Sequence, residues 1–210
     1  MNSMILFTTL GFEEKYLLRE VFRRGVKDRL GIFVLVPEEM HERTEKAYQT
    51  VKDMLSKLEP NIFIDRIKVP LQDPYKAIYE IRSSIKAYAK DKEEVVVNLS
   101  GGQRLLIFCV TAALSSLGIR NIKVSIESED GKYYFELPSD VLIYYDLDEL
   151  DNRILEAIRD GHVKIKDLLT YLNISRVTLW RKVKRMKKLG LIEELEGKRY
   201  RLTEIGLTKI

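Results

Sequence analysis

The chain has 210 residues, of which 45% are hydrophobic and 32% are charged, and this composition excludes an intrinsically disordered protein. The formal net charge of +4 is unevenly distributed: residues 148–210 hold 15 basic and 10 acidic residues, whereas residues 1–147 hold 21 and 22. We therefore expect one large or two small globular domains, with a polyanionic partner for the C-terminal third.

The sequence favours a cytoplasmic location. Its single cysteine, Cys109, has no partner for an intrachain disulfide, which indicates a reducing compartment. The N-terminal residues lack the basic leader and the cleavage site of a signal peptide. The longest run without a charged residue covers 105–119, which is shorter than the ~20 residues that a membrane span requires.

Strands and helices alternate along the first 137 residues. Apolar patterning predicts strands at 4–9, 31–36, 62–69 and 95–99, and helices at 13–24, 39–58, 74–89 and 105–114. Two further strands, 121–127 and 132–137, flank Asp130-Gly131, which is a hairpin signal. This order predicts an α/β fold, in which a doubly wound, Rossmann-like and mostly parallel sheet ends in an antiparallel edge strand.

The pattern changes after residue 137. Residues 138–147 have no helical period and are predicted to link two domains. Helices are then predicted at 148–159, at 165–172 and from the N-cap Ser175 to Lys188, followed by a hairpin with strands at 191–195 and 200–202. Three helices and a hairpin predict a winged helix-turn-helix domain over residues 148–210.

The third helix of this domain is strongly basic, because residues 176–188 include seven Lys or Arg and no acidic residue. Leu179, Val183, Met186 and Leu189 share one face and are predicted to pack inward. The outer residues are candidates for the major groove of double-stranded DNA, and the hairpin adds cations that can contact phosphates. The DNA-binding candidates are Arg176, Thr178, Arg181, Lys182, Arg185, Lys198 and Arg199, with Arg201 beside them. A solvated basic face is the simpler alternative, and Trp180, which the same spacing places outside, has no assigned role.

A second informative segment runs from Asn98 through Ser100-Gly101-Gly102 to Arg104. It connects a buried strand to an apolar helix. The glycines allow backbone N–H groups to face inward, and a helix N-terminus adds partial positive charge, so such a turn binds anions. Open α/β sheets bind ligands at this end of their strands. The turn, with Arg104 in the first helical turn, predicts a phosphorylated ligand.

The whole chain resembles the CRISPR-associated Rossmann-fold (CARF) proteins, and specifically their archaeal winged-helix transcriptional regulators. The resemblance rests on the Asn-x-Ser-Gly-Gly-x-Arg turn at residues 98–104, on the Thr-Thr-Leu-Gly-Phe turn at residues 8–12 and on the winged helix. It implies a regulator of a CRISPR-Cas antiviral defence system whose domain 1–137 senses ligand and forms a homodimer. The effector would be a cyclic oligoadenylate, usually cyclic tetra-adenylate, bound in one pocket shared by both copies, with no cofactor or metal. The implied ligand-binding residues are Thr9, Leu10, Gly11, Phe12, Ser100, Gly101, Gly102, Gln103 and Arg104, and Pro37 and Glu38 are further candidates.

Several of these residues also have purely structural interpretations. The glycines can simply permit a tight turn, Asn98 can cap that turn, and Ser100 can be the N-cap of the apolar helix. Arg104 can pair with an acidic neighbour, and Phe12 can be a core residue.

Two other functions remain open from the sequence. One is a ring nuclease that cleaves the cyclic oligoadenylate without metal, with Ser100 or Arg104 assisting by positioning and charge stabilisation. The isolated His41 and His162 offer little for general acid–base catalysis. The other is a metabolite-sensing repressor unrelated to CRISPR, with a phosphosugar or nucleotide as its ligand.

Overall fold

The computed structural model describes residues 4–26, 30–89, 94–119 and 122–210. The chain divides into two compact units, Met1–Ile143 and Tyr144–Ile210.

The first unit is built around a six-stranded sheet with the order β3-β2-β1-β4-β5-β6. Its elements in chain order are β1 (Met4–Thr9), α1 (Lys15–Arg24), β2 (Leu30–Pro37), α2 (Glu42–Leu58), β3 (Phe63–Val69), α3 (Pro74–Ala89), β4 (Glu94–Asn98), α4 (Arg104–Ser115), β5 (Ile122–Glu127) and β6 (Tyr134–Pro138). Neighbouring strands are parallel except for β5 and β6, which are antiparallel. The predicted doubly wound sheet with an antiparallel edge is therefore confirmed, while the predicted first residue of β5, Asn121, lies outside the described residues.

Helices cover the central strands on both faces because consecutive side chains in a strand point to opposite sides. Phe7, Val95 and Val97 pack with α3 and α4. Leu6 and Val96 pack on the other face, with α1 and α2. The near-continuous apolar run of β4 is explained by this burial on both faces.

β1 and β4 lie side by side at the centre of the sheet, with Thr8 in register with Asn98. From this pair, the sheet continues through β2 to β3 on one side and through β5 to β6 on the other. The pair is therefore the topological switch point, where the loops after adjacent strands diverge and leave a crevice at the carboxyl edge. The two turns singled out in the sequence are those two loops.

The second unit is a winged helix-turn-helix, as predicted. It consists of α5 (Glu149–Arg159), α6 (Ile165–Leu172), α7 (Arg176–Leu189), β7 (Ile192–Leu195), β8 (Arg199–Leu202) and α8 (Glu204–Leu207), a short helix that the sequence patterning did not predict. Ser175 caps α7 and Gly190 ends it in the left-handed region, at φ 75°.

Residues 138–147, predicted as a linker, are divided between the units. Ser139–Leu142 forms one 3₁₀ turn, and Leu142 packs against the core beside α4. Tyr145 and Leu147 pack against the core of the second unit. A single 3₁₀ turn is too short to produce a visible period in the sequence.

None of the described helices combines the length and the apolar character needed to cross a membrane.

Gly206 in α8 packs against the backbone between α7 and β7, because a Cβ there would lie 1.9 Å from the carbonyl oxygen of Leu191. We expect Gly206→Ala to destabilise the second unit by about 3 kcal/mol, at the upper end of the ~1–3 kcal/mol usual for overpacking, since the clash is with backbone. Urea unfolding followed by the fluorescence of Trp180, the single tryptophan, measures the change.

The matched control is Leu207→Ala, which alters an exposed side chain of the same helix and should change the free energy of unfolding by less than ~0.5 kcal/mol. Equal urea midpoints for wild type and Gly206→Ala would contradict the packing described.

Candidate anion site and nucleic-acid interface

The turns after β1 and β4 touch each other through glycines. A Cβ on Gly11 would lie 3.0 Å from the backbone nitrogen of Gly102, and one on Gly101 would lie 3.0 Å from the carbonyl oxygen of Thr9. Gly102 also has φ 98°, which disfavours any other residue. The Thr9 hydroxyl donates a hydrogen bond to the carbonyl oxygen of Gly101. Both turns therefore form one backbone surface at the switch point.

Asn98 fixes the turn after β4 through its side-chain hydrogen bonds. Its Nδ2 donates to Ser100 Oγ at 2.9 Å and to Ser125 Oγ at 3.0 Å, while its Oδ1 accepts from Ser100 N at 3.3 Å. Ser100 Oγ also accepts from the backbone N–H of Glu127 at 2.8 Å. Asn98 thus caps the turn, whereas the interpretation of Ser100 as the N-cap of α4 is wrong because Gln103 occupies that position.

The N-terminus of α4 is left open toward solvent. Gln103 makes no side-chain capping hydrogen bond and the first turn has no acidic residue. The N-caps of α1 and α6 likewise make no side-chain hydrogen bond, whereas α2, α5 and α7 are capped by His41, Asp148 and Ser175. The first N–H groups of a helix need a partner, and their partial positive charge favours an anion. Arg104 is exposed and has no ion-pair partner among the described residues, so it does not pair with an acidic neighbour there.

The turn after β1 contributes backbone atoms and one aromatic ring to the candidate site. Leu10 is only 1% exposed and packs in the core with α1 and α2, so its side chain cannot contact a ligand. Phe12 is exposed, which makes its interpretation as a core residue wrong. Its ring lies 5.1 Å from that of His41, and the guanidinium of Arg43 lies 4.7 Å from its centre. Arg43 is not among the predicted site residues, and its only signal in the sequence is its position just after the loop that follows β2.

A cavity of about 510 Å³ lies between the two turns and the start of α1. It is lined by Gly11, Phe12, Glu13, Lys15, Tyr16, Ser100, Gly101, Gly102 and Glu129. Lys15 forms an ion pair with Glu13 at 2.5 Å, and this hydrogen bond lowers the pKa of the Glu13 carboxyl. The described residues include no group of three His, Cys, Asp or Glu placed to hold a metal ion.

The second candidate site is the outer face of α7 with the hairpin β7–β8. Arg176, Arg181, Lys198 and Arg199 are exposed, as expected. Thr178 is half-buried, and its hydroxyl lies 2.8 Å from that of Ser175. Arg201 pairs with Glu193 at 2.6 Å.

Lys182 does not lie on the outer face, which corrects the expectation for it, whereas Arg185 is exposed as expected but is paired. Lys182 is only 8% exposed and forms ion pairs with Asp148 and, at 3.2 Å, with Asp151. Arg185 pairs with Asp151 at 2.8 Å and donates to the carbonyl oxygen of Asp146. The hydrogen bond from Lys182 lowers the pKa of the Asp148 carboxyl.

The helical spacing accounts for this correction. Lys182 follows the buried Leu179 by three residues and precedes the buried Met186 by four, so it belongs to the inner face. Asp148 and Asp151 form the capping box of α5 and supply the opposite charge. The spacing of Lys182 and the two aspartates can both be read from the sequence, but the prediction gave more weight to the density of positive charge on the helix.

Comparisons with known proteins agree with this architecture. Residues 4–138 match the model of the Csa3 CRISPR-associated Rossmann-like domain, and residues 147–193 match a model of winged helix-turn-helix DNA-binding domains. No curated protein matches the chain significantly.

Solved structures that match the chain include protein VC1899 from Vibrio cholerae, at 14% identity and a TM-score of 0.48, with 98% of this chain and 63% of that chain covered. Another is Enterococcus italicus Csm6 bound to cyclic hexa-2'-fluoro-hexa-dAMP, at 12% identity and a TM-score of 0.45, with 90% of this chain and 52% of that chain covered. The chain thus spans only about half to two thirds of these structures.

The different environments of Lys182 and Arg181 predict opposite mutant phenotypes. Lys182→Met leaves the buried carboxylate of Asp151 with Arg185 alone, so we expect a loss of about 2–3 kcal/mol, somewhat below the ~3–5 kcal/mol for a buried charge left without any partner. Its affinity for duplex DNA, measured by fluorescence anisotropy below the unfolding transition, should be unchanged.

Arg181→Ala should have the converse effect, with normal stability, weaker DNA binding and a salt dependence reduced by about one phosphate contact. A stable Lys182→Met protein with weakened DNA binding would contradict this division of roles.

Proposed function

We propose that this chain, which belongs to the family of Csa3 CRISPR-associated Rossmann-like (CARF) domains and carries a winged helix-turn-helix domain, regulates transcription by binding double-stranded DNA under the control of a cyclic oligoadenylate. The first unit would sense the ligand and the second would bind DNA.

The observation that carries the ligand assignment is the open N-terminus of α4 beside an exposed aromatic ring. Phosphate groups suit the free N–H groups of the turn and the guanidinium of Arg104. An adenine suits the exposed ring of Phe12, which Arg43 already approaches. Phe12 and the glycine turn line the same cavity, so a ligand with alternating phosphates and adenines can contact both.

The proposed contacts follow the geometry of the two turns. Gly101, Gly102 and Gln103 contribute backbone N–H groups and Arg104 contributes its side chain, while Ser100, whose N–H donates to Asn98, holds the turn in place. On the opposite wall, Phe12 contributes its ring and Gly11 its backbone, while Thr9 and Leu10, each 1% exposed, support that wall from beneath.

We further propose that two copies of the chain share one ring, preferably cyclic tetra-adenylate. The cavity of a single chain is open, and a cyclic ligand with a two-fold axis presents the same groups to two related sites. Leu105 and Phe108 expose apolar side chains on α4, one turn from the site, and a second copy would remove them from water.

The ligand assignment predicts a ring-dependent gain in thermal stability. Cyclic tetra-adenylate should raise the Tm of the full chain, and titration calorimetry should give one ring per two chains. Arg104→Ala should weaken binding about 10- to 100-fold, because a hydrogen bond to a charged group contributes ~1.5–3 kcal/mol.

Lys52→Ala, which removes an exposed cation on α2, is the matched control and should bind as wild type. Cyclic tri- and hexa-adenylate test the ring size. If no ring changes the Tm, or if Arg104→Ala binds normally, the assignment is wrong.

The regulatory assignment predicts that ligand and DNA affect each other's affinity by the same factor. We expect duplex affinity, measured by anisotropy, to fall steeply as salt is raised, because cations on α7 and the hairpin release counterions from phosphates. Saturating cyclic tetra-adenylate should shift that affinity about 5- to 150-fold, a typical allosteric coupling, and linear tetra-adenylate serves as the control. Duplex affinity that is identical with and without the ring would rule out regulation by this ligand.

A further inference from the structure

The basic outer face of α7 carries an apolar residue, Val177, near the start of the helix. Val177, Arg181 and Lys184 are spaced by four and three residues, so they form one line along the helix, opposite the buried Leu179 and Val183. Val177 is the second residue of the helix and has charged neighbours, yet its apolar side chain is 77% exposed. The core of the second unit makes no use of this side chain.

Trp180 extends this apolar surface toward the hairpin. It is 60% exposed, and Lys184 Nζ lies 4.9 Å from the centre of its ring, a cation–π contact that restrains both side chains. Val177 and Trp180 line a groove of about 500 Å³ between α7 and the hairpin, together with Ile165 and Tyr200.

The charge around the groove indicates its occupant. Two cations, Arg176 and Lys198, line it. The acidic residue in its lining, Glu194, is paired with Lys187. An exposed helix face with apolar side chains and cations beside them suits the major groove, whose floor carries base edges and whose walls carry phosphates.

Within the major groove, an apolar side chain can distinguish one base directly. Thymine alone carries a 5-methyl group there, whereas the other base edges present hydrogen-bond donors and acceptors. Residues at the N-terminus of a recognition helix are the ones that reach base edges. Val177 has no polar atom in its side chain and therefore can select only through such a methyl contact.

We propose that Val177 and Trp180 form an apolar recognition element that selects thymine through its 5-methyl group. This inference rests on the proposed binding of duplex DNA and adds the feature of the DNA sequence that is read. Arg181 and Lys184 flank the element and hold α7 in the groove through phosphates.

Exchange of thymine for uracil tests the inference, because it removes the methyl group and keeps every hydrogen-bonding atom. A 20-base-pair duplex is selected from a random library with the full-length wild-type chain, and each thymine is then replaced singly by deoxyuridine. At one or more positions wild type should lose about fourfold in affinity, the value for one buried methyl group. Val177→Ala should reduce this loss at those positions, since only Trp180 and one Cβ remain to contact the methyl group.

Two further variants make the result specific. Val177→Thr retains one methyl group and should keep part of the discrimination, while Leu207→Ala, which removes an exposed apolar side chain on α8, should keep all of it. The thymine-to-uracil ratio is measured within each variant, so a change in folded fraction does not alter it.

The opposite results are equally distinct. If wild type binds the duplex in a salt-dependent way but loses no affinity when any thymine is replaced by deoxyuridine, the inference is overturned and the DNA-binding proposal stands. Full discrimination between thymine and uracil by Val177→Ala overturns it too. So does a changed molar mass of the protein in light scattering for Val177→Ala and Trp180→Ala, if their thymine-to-uracil affinity ratio stays the same, because these side chains would then form a protein contact. Failure to bind any duplex overturns the proposed function together with the inference.

Discussion

The close approach of Gly11 to Gly102 is the constraint on which the first unit depends. Because β1 and β4 are adjacent at the switch point, the loops that follow them must share one small space, and only backbone fits between them. A side chain on either glycine would separate the turns and move the start of α4. Beside these turns, the N-cap Gln103 makes no side-chain hydrogen bond to the start of α4.

A buried polar network supports these turns from the interior. Glu20 accepts a hydrogen bond from Ser125 at 3.1 Å and pairs with Arg24 at 2.6 Å, and Ser125 in turn is bound by Asn98. At the neighbouring Glu127, burial raises the pKa of the carboxyl, but hydrogen bonds from Arg23 and Arg19 outweigh this effect and lower it. The carboxylates under the site are therefore compensated by arginines of α1, as buried charges require.

The second unit separates its cations by role. Lys182 and Arg185 face Asp151, a fully buried carboxylate, and so join α7 to α5. Arg176 and Arg181 face water. Total charge predicted a polyanion partner for this helix, but the helical phase of each residue decides which cations can reach one. The same phase brings Val177 to the outer surface, where no count of charges would have suggested a role for it.

The sequence by itself determined the alternation of strands and helices, the antiparallel edge, the winged helix and the glycine turn after β4, because periodicity, caps and glycines act over a few neighbouring residues. It did not determine which side chains meet across the chain. The burial of Leu10, the pairing of Lys182 with Asp148, and the approach of His41 and Arg43 to Phe12 bring together residues from different elements. Such contacts depend on the distances between packed elements, so only the tertiary structure decided which predicted site residues present a side chain and which present only backbone.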